Sequence, residues 1–189
     1  VAILTFFILG GFAFADDLVR SLSDHYLLQN LIFFGLFALV SDILMIPVSI
    51  YQTFYLEAKF GFNKTTVKTF IFDKLKAALL MILIGGGILA LIVFIYEMSG
   101  SNFWWIAWIM ISSVSIIFMA FYSEIIVPLF NKQSPLEEGS LRDAIQVFAL
   151  KTNFQLKNVF IIDGSKRSTK ANAYFSGIGP KKRIVLYDT

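Results

Sequence analysis

The chain has 189 residues, 57% of them hydrophobic and 15% charged, with a mean hydropathy of +0.74. Soluble domains stay at roughly 45 to 50% apolar and about 25% charged, so the composition excludes an ordinary soluble domain and reads as a membrane protein. With no Cys it also excludes disulfides and a thiolate metal site, and its lysines, set beside apolar runs and not interleaved with aromatics, argue against a nucleic-acid partner.

The chain opens on Val1 rather than Met, inside an apolar run, and is expected to be a fragment at both ends with no signal peptide to read. Val1 to Ala15 is apolar, but as a helix it rises only about 22 Å, short of a hydrocarbon core of roughly 30 Å. It reads as the end of a span. A polar loop, Asp16 to Tyr26, is expected next and holds the single histidine, His25. A lone loop histidine beside Asp24 lacks the partners of a metal ligand and is given no role.

Leu27 to Leu56 is a second run, about 45 Å if straight, which must tilt, kink or protrude. Pro47 marks the expected kink. Asp42, an ionisable group inside the run, reads either as part of a polar interior or as a group near the headgroups or paired with another helix. Glu57 to Lys76 carries five lysines against Glu57 and Asp73. Within it Val67, Phe70, Ile71 and Leu75 fall on one face of an amphipathic helix. Ala77 to Tyr96 is an uncharged span of about 30 Å whose Gly85, Gly86 and Gly87 permit close helix approach or local flexing, with packing the expected use. Phe103 to Tyr122 crosses back between aromatic belts, Trp104, Trp105 and Trp108 at one end and Tyr122 at the other. Ser112, Ser113 and Ser115 are expected to bond back to their own helix, with a cavity-lining role as the alternative.

Beyond residue 126 the texture changes. Ser134 to Glu137 has the form of a capping box with Pro135 at the first helical position, and Leu141, Ile145, Phe148 and Ala149 mark one face of a helix ending near Thr152. Val159 to Asp163, Ala171 to Ser176 and Arg183 to Asp188 read as short strands. Their turn-rich connections, Gly164 to Lys170 and Gly177 to Lys182, make consecutive antiparallel pairing the simplest layout. Hence residues 1–126 are expected to be the transmembrane helical region, with spans at 1–15, 27–56, 77–96 and 103–122. Residues 127–189 are expected to form a separate, more polar domain of one amphipathic helix and short strands. Of 16 Lys and Arg, five lie in Glu57 to Lys76, ten follow Val127 and Arg20 stands apart, so the positive-inside rule puts both of those regions in the cytoplasm.

Three stretches occur in a telling order: Phe60 to Lys76 (FGFNKTTVKTFIFDKLK), Val127 to Leu136 (VPLFNKQSPL), and the C-terminal SKRS of Ser165 to Ser168 with NAYF of Asn172 to Phe175, Gly177 and RIVLYDT of Arg183 to Thr189. Together they resemble the type I CAAX prenyl endopeptidases, integral-membrane zinc metallopeptidases. The implied fold is a multi-pass α-helical membrane protein followed by the start of an α+β metallopeptidase domain, an amphipathic helix with short antiparallel strands. The resemblance also implies a helical barrel around a water-filled chamber, with Asp42 and the serines of the last span as lining groups. The strand Asn172, Ala173, Tyr174 and Phe175 would line the substrate cleft beside the zinc. From pattern alone that strand is more simply an ordinary hairpin strand with Tyr174 and Phe175 in the core. Small Ala173 would nonetheless let a substrate backbone approach and add as a further strand.

The HExxH zinc motif of such enzymes is not in these 189 residues, nor is a G-x-S-x-G elbow, a Walker A loop or a dinucleotide loop. Catalytic residues and metal ligands are therefore expected outside this chain. Zinc belongs to the complete protein, and the 189 residues alone are expected to be inactive. The implied partners are membrane lipid and a peptide or prenylated protein substrate, in the endoplasmic reticulum or a bacterial inner membrane. A non-enzymatic transporter or scaffold subunit is the alternative, and a histidine pair on a helix after Thr189 would decide against it.

Overall fold

The computed structural model describes residues 2–177 and 182–189. The helical part is α1 (Ala2–Ile8), α2 (Gly11–Leu22), α3 (Tyr26–Ile50), α4 (Val67–Leu80), α5 (Gly86–Ser99) and α6 (Phe103–Ile125). A short α7 (Val127–Phe130) leads to β1 (Gln133–Pro135), α8 (Ser140–Lys151), β2 (Asn158–Ile162), β3 (Ala173–Ser176) and β4 (Arg183–Tyr187). By contact the chain forms two compact units, one of Val1–Ser49 with Ala77–Ala107 and one of Ile50–Lys76 with Trp108–Thr189.

In the first unit the expected loop after Ala15 is instead helix. The chain breaks earlier, at Gly10, whose φ of 73° is costly for any residue with a Cβ, and α2 then continues through Asp16 and Asp17 to Leu22. The charges are accommodated because Arg20 Nε donates to Asp16 Oδ2 at 2.7 Å, one turn away on the helix surface. Only Ser23–His25 separates α2 from α3, and His25 is exposed, its backbone N–H donating to Ser23 Oγ at 3.1 Å. The triple glycine also departs from expectation. A Cβ added at Gly86 or Gly87 would meet nothing within 4 Å, so among the described residues these two glycines are not used for close helix packing. They follow a stretch, Met81–Gly85, in which the helix widens to i→i+5 bonding before α5 resumes.

Helix α3 passes through Pro47 without ending and then widens in the same way over Tyr51–Glu57, giving a helical stretch long and apolar enough to cross a membrane. Proline withholds one N–H and crowds the preceding turn. Asp42 is half-buried on α3. In α6, Ser113 and Ser115 hydroxyls donate to the carbonyls of Ile109 and Ile111 at 2.8 Å, the expected intrahelical bonds. Trp104 and Trp108 are exposed.

The sheet of the second unit is mixed, in the order β1-β2-β4-β3. Consecutive antiparallel pairing is not what the chain adopts: β2 runs parallel to β4 with Val159 opposite Ile184, and β3 pairs antiparallel with β4 on its other side. The reason lies in Asp163 to Asn172, which carries the chain away from β2 and returns it beyond β4. Residues 178–181, most of the proposed Gly177 to Lys182 turn, lie outside the described residues. The capping box at Ser134 is also replaced. Gln133–Pro135 forms edge strand β1 against β2, where a proline costs no ladder bond, and α8 starts only at Ser140. Val127, Ile162 and Val185 form a small core, Val185 with 0% exposure, against which Phe160, Tyr174 and Tyr187 pack. Gly164 is required beneath that core, since a Cβ there would lie 2.2 Å from the Tyr187 ring.

Candidate functional site

Strand β3 occupies an edge of the sheet, with β4 as its neighbour on one side. Its register pairs Ala173 with Leu186, Tyr174 with Val185, Phe175 with Ile184 and Ser176 with Arg183, and the Tyr187 N–H donates to the Asn172 carbonyl at 3.0 Å. Antiparallel pairs alternate between bonded and non-bonded. Since residue 172 is bonded to β4, Tyr174 and Ser176 are too, and Ala173 and Phe175 turn their N–H and C=O groups away from the sheet. One outward donor is held within the chain: the Ala173 N–H donates to Asn172 Oδ1 at 2.8 Å.

The side chains of this strand divide between two clefts. Phe175, 67% exposed, meets Phe154 edge-on at 6.3 Å between centroids, beside a cleft of about 330 Å³ lined by Ile145, Phe148 and Ala149 of α8 together with Ala173 and Ile184. A second cleft, about 440 Å³, is lined by Phe118, Met119 and Tyr122 of α6 and by Tyr174 to Gly177. Both walls are mainly apolar, so the free edge offers backbone polarity flanked by grooves that suit apolar side chains.

Tyr174 ties the strand to α6. Its hydroxyl is buried with no hydrogen-bond partner among the described residues, and this burial pushes the phenol above the usual tyrosine range. The Ser123 hydroxyl opposes the shift from outside hydrogen-bond geometry; Ser123 is 1% exposed and accepts from Gln133 Nε2 at 3.4 Å. Arg183, where β4 begins beside the end of β3, pairs with Glu124 of the same helix.

The segment that feeds β3 is fixed by a constellation the sequence reading did not foresee. Arg167 grips Asp73 of α4 with both arms, Nε to Oδ2 at 2.7 Å and Nη2 to Oδ1 at 2.8 Å. The same guanidinium donates to Asn131 Oδ1 at 2.5 Å and to the Phe130 carbonyl at 2.8 Å. The hydrogen bond to Asp73 raises Arg167 above the ordinary arginine value. At the other end of this connection Asp188 accepts from the N–H and hydroxyl of Ser165 at 2.7 and 2.6 Å, which lowers its pKa. That contact is complete at neutral pH and is lost on acidification through the folded-state pKa, because the protonated acid accepts more weakly. All three main residues of the constellation lie in stretches quoted above, yet nothing local signals that Asp73, Asn131 and Arg167 meet.

Among the described residues no three His, Cys, Asp or Glu side chains converge as metal ligands, so the residues present do not fit a catalytic metal centre.

Comparison with known proteins gives a consistent family assignment. Residues 1–132 match the family model described as CAAX prenyl protease N-terminal, five membrane helices, and residues 135–189 match peptidase family M48. A CAAX prenyl protease 1 homolog of Oryza sativa is 42% identical over 167 residues, covering 88% of this chain and 39% of that protein. CAAX prenyl protease 1 of Saccharomyces cerevisiae is 43% identical over 162 residues, covering 85% of this chain and 36% of its own length. The crystal structure of S. mikatae Ste24p superimposes with a TM-score of 0.91 at 40% identity, covering 100% of this chain and 46% of that one. The chain thus spans less than half the length of these relatives.

Proposed function

The chain belongs to the CAAX prenyl protease family of M48 membrane peptidases, and from that premise we propose that it supplies the membrane region and the substrate-binding edge of a zinc endopeptidase. In this reading residues 1–126 form the membrane region and 127–189 begin the peptidase domain. The substrate is a prenylated or otherwise membrane-associated polypeptide. It lies extended along β3, with Ala173 and Phe175 exchanging backbone hydrogen bonds with it and the two apolar clefts receiving its alternate side chains. Asn172 holds the Ala173 donor until the substrate carbonyl replaces it. Zinc, when bound by ligands outside these 189 residues, would polarise the scissile carbonyl and its attacking water. The work of the present residues is binding and orientation.

The observation that carries this reading is the free edge of β3. An ordinary interior hairpin strand would have had its outward amides paired in the sheet, and here, among the described residues, β3 has a ladder on the β4 side alone and the Ala173 donor is covered only by a neighbouring side chain that can swing away. The direct test is hydrolysis of a farnesylated CAAX peptide by the full-length protein in detergent or liposomes. Cleavage near the peptide's C-terminus, suppressed by a chelator and restored by zinc, is expected. A protein that folds, binds lipid and cleaves no prenylated or unprenylated peptide would favour the scaffold alternative.

The orientation belongs to the same proposal. With fifteen of sixteen basic residues in Glu57 to Lys76 and after Val127, both regions are placed in the cytoplasm and Gly100 in the opposite compartment. Single cysteines at Asn63 and Gly100 should react with a membrane-impermeant maleimide from opposite sides. Labelling of both from one side would reverse the assignment.

A further inference from the structure

We infer that Arg167 is a positioning residue for the substrate edge, acting through Asp73, and this rests on the reading of β3 given above. Strand β3 has the β4 ladder on one side, and its free side must present Ala173 and Phe175 in a fixed line to receive another backbone. The approach to the strand, Arg167 to Asn172, belongs to no sheet and would wander without other restraints.

Those restraints come from two sources, the Arg167 side chain and the turn before α4. Arg167 makes four hydrogen bonds from a single guanidinium, two of them a fork onto the Asp73 carboxylate, with both side chains about three-quarters buried. Its own carbonyl accepts from the Lys64 N–H at 2.9 Å and the Thr65 hydroxyl at 3.1 Å. Directly after it, Ser168 bridges to Asn63, the Thr169 N–H donates to the Phe62 carbonyl at 3.0 Å, and the Thr169 hydroxyl to Gly61 at 3.2 Å. Lys170 then pairs with Glu57 at 2.8 Å over the Phe62 ring. The turn before α4 and the approach to β3 are thus laid edge to edge, and Arg167 pins the pair to α4 and to the end of α7.

Each contact is local and modest except the fork, which fixes angle as well as distance. A lysine could keep the charge but not the geometry. The arrangement therefore sets where β3 begins, three residues after the Lys170 ion pair, and so aligns the outward groups of Ala173 and Phe175 with an incoming substrate. None of its three partner residues, Asp73, Asn131 and Phe130, lines either cleft, so the effect of Arg167 is transmitted through the backbone.

The test uses the full-length, zinc-loaded enzyme. Arg167→Lys, Asp73→Asn and the double variant are assayed for kcat and KM on a farnesylated peptide, beside zinc content and thermal midpoint. The expected result is a KM raised about tenfold or more in each single variant, with kcat and zinc near wild type, since a displaced edge weakens binding more than chemistry. The double variant should be no worse than the worse single one, because both remove the same fork. Unchanged KM with a lowered thermal midpoint would make Arg167 a purely structural residue and overturn the inference, as would additive effects. Failure of both conservative variants to fold would overturn it too, since the fork would then be a requirement of folding. Peptides N-methylated at alternate amides separate this from the parent reading. If wild type cleaves them all with unaltered KM, the edge-strand reading itself fails. If N-methylation raises KM but Arg167→Lys does not, only the positioning role fails.

Discussion

Purified as it stands, the 189-residue chain should bind no tight stoichiometric zinc and hydrolyse no peptide, whereas the same protein extended to the length of its relatives should do both. A catalytic zinc site takes three protein ligands and an open position for water. This chain has one histidine and no cysteine, and His25 stands exposed in the turn between α2 and α3. Carboxylates remain, but Asp73 is engaged by Arg167, Asp188 by Ser165 and Glu57 by Lys170. Releasing any of these to hold a metal would sacrifice a charge-assisted bond, and exposed oxygens alone favour harder ions. The measurement is elemental analysis of both lengths, with a fluorogenic peptide assay before and after chelation. The expected difference in turnover is complete, not graded, because removing a catalytic metal removes the reaction path. One-to-one zinc with chelator-sensitive hydrolysis by the shorter chain would overturn the placement of the machinery outside these residues.

What the sequence could and could not announce follows the range of the forces involved. Apolar runs declare themselves because membrane insertion depends on the composition of one continuous stretch, and the apolar runs are helical here, the one at 77–96 running from the end of α4 through the widened stretch into α5. Helix limits declare themselves less well. The glycine at position 10 stops a helix inside an apolar run, while Asp16 and Arg20 let the next helix continue through polar residues. Strand existence was legible from β-branched and aromatic residues, yet strand order was not. Whether β3 pairs with β2 or β4 depends on where the Asp163 to Asn172 connection is tied, and the ties, Arg167 to Asp73 and Thr169 to Phe62, span about a hundred residues of sequence. Lys64, Asp73 and Asn131 carry no local signature of meeting Arg167. The capping-box reading of Ser134 failed for a similar reason: Ser134 and Pro135 can start a helix or sit in an edge strand, and pairing with β2 decides.

That mixed order is what gives Ala173 its exposed edge, and it sharpens the expectation for Ala173→Pro. Had the strands paired consecutively, β3 would have been enclosed by β2 and β4, and a proline in it would have broken the sheet. In the observed order the Ala173 N–H points away from β4, so proline removes no ladder bond; it removes only the donor now held by Asn172 Oδ1. The folded protein should therefore lose about 1 kcal/mol or less, in line with one partly exposed neutral hydrogen bond. Substrate binding should suffer far more, because the ring takes away a backbone donor and also obstructs the approach of a second strand. In the full-length enzyme KM should rise by about a hundredfold or turnover vanish, with zinc content kept and the thermal midpoint shifted by a few degrees. Ala173→Gly, which keeps the donor, should stay within a few-fold of wild type. The pair of measurements is kcat and KM on a prenylated peptide together with thermal unfolding of each variant. Wild-type kinetics in Ala173→Pro would mean that no substrate strand lies on β3, and the proposed site would have to be abandoned at its most specific residue.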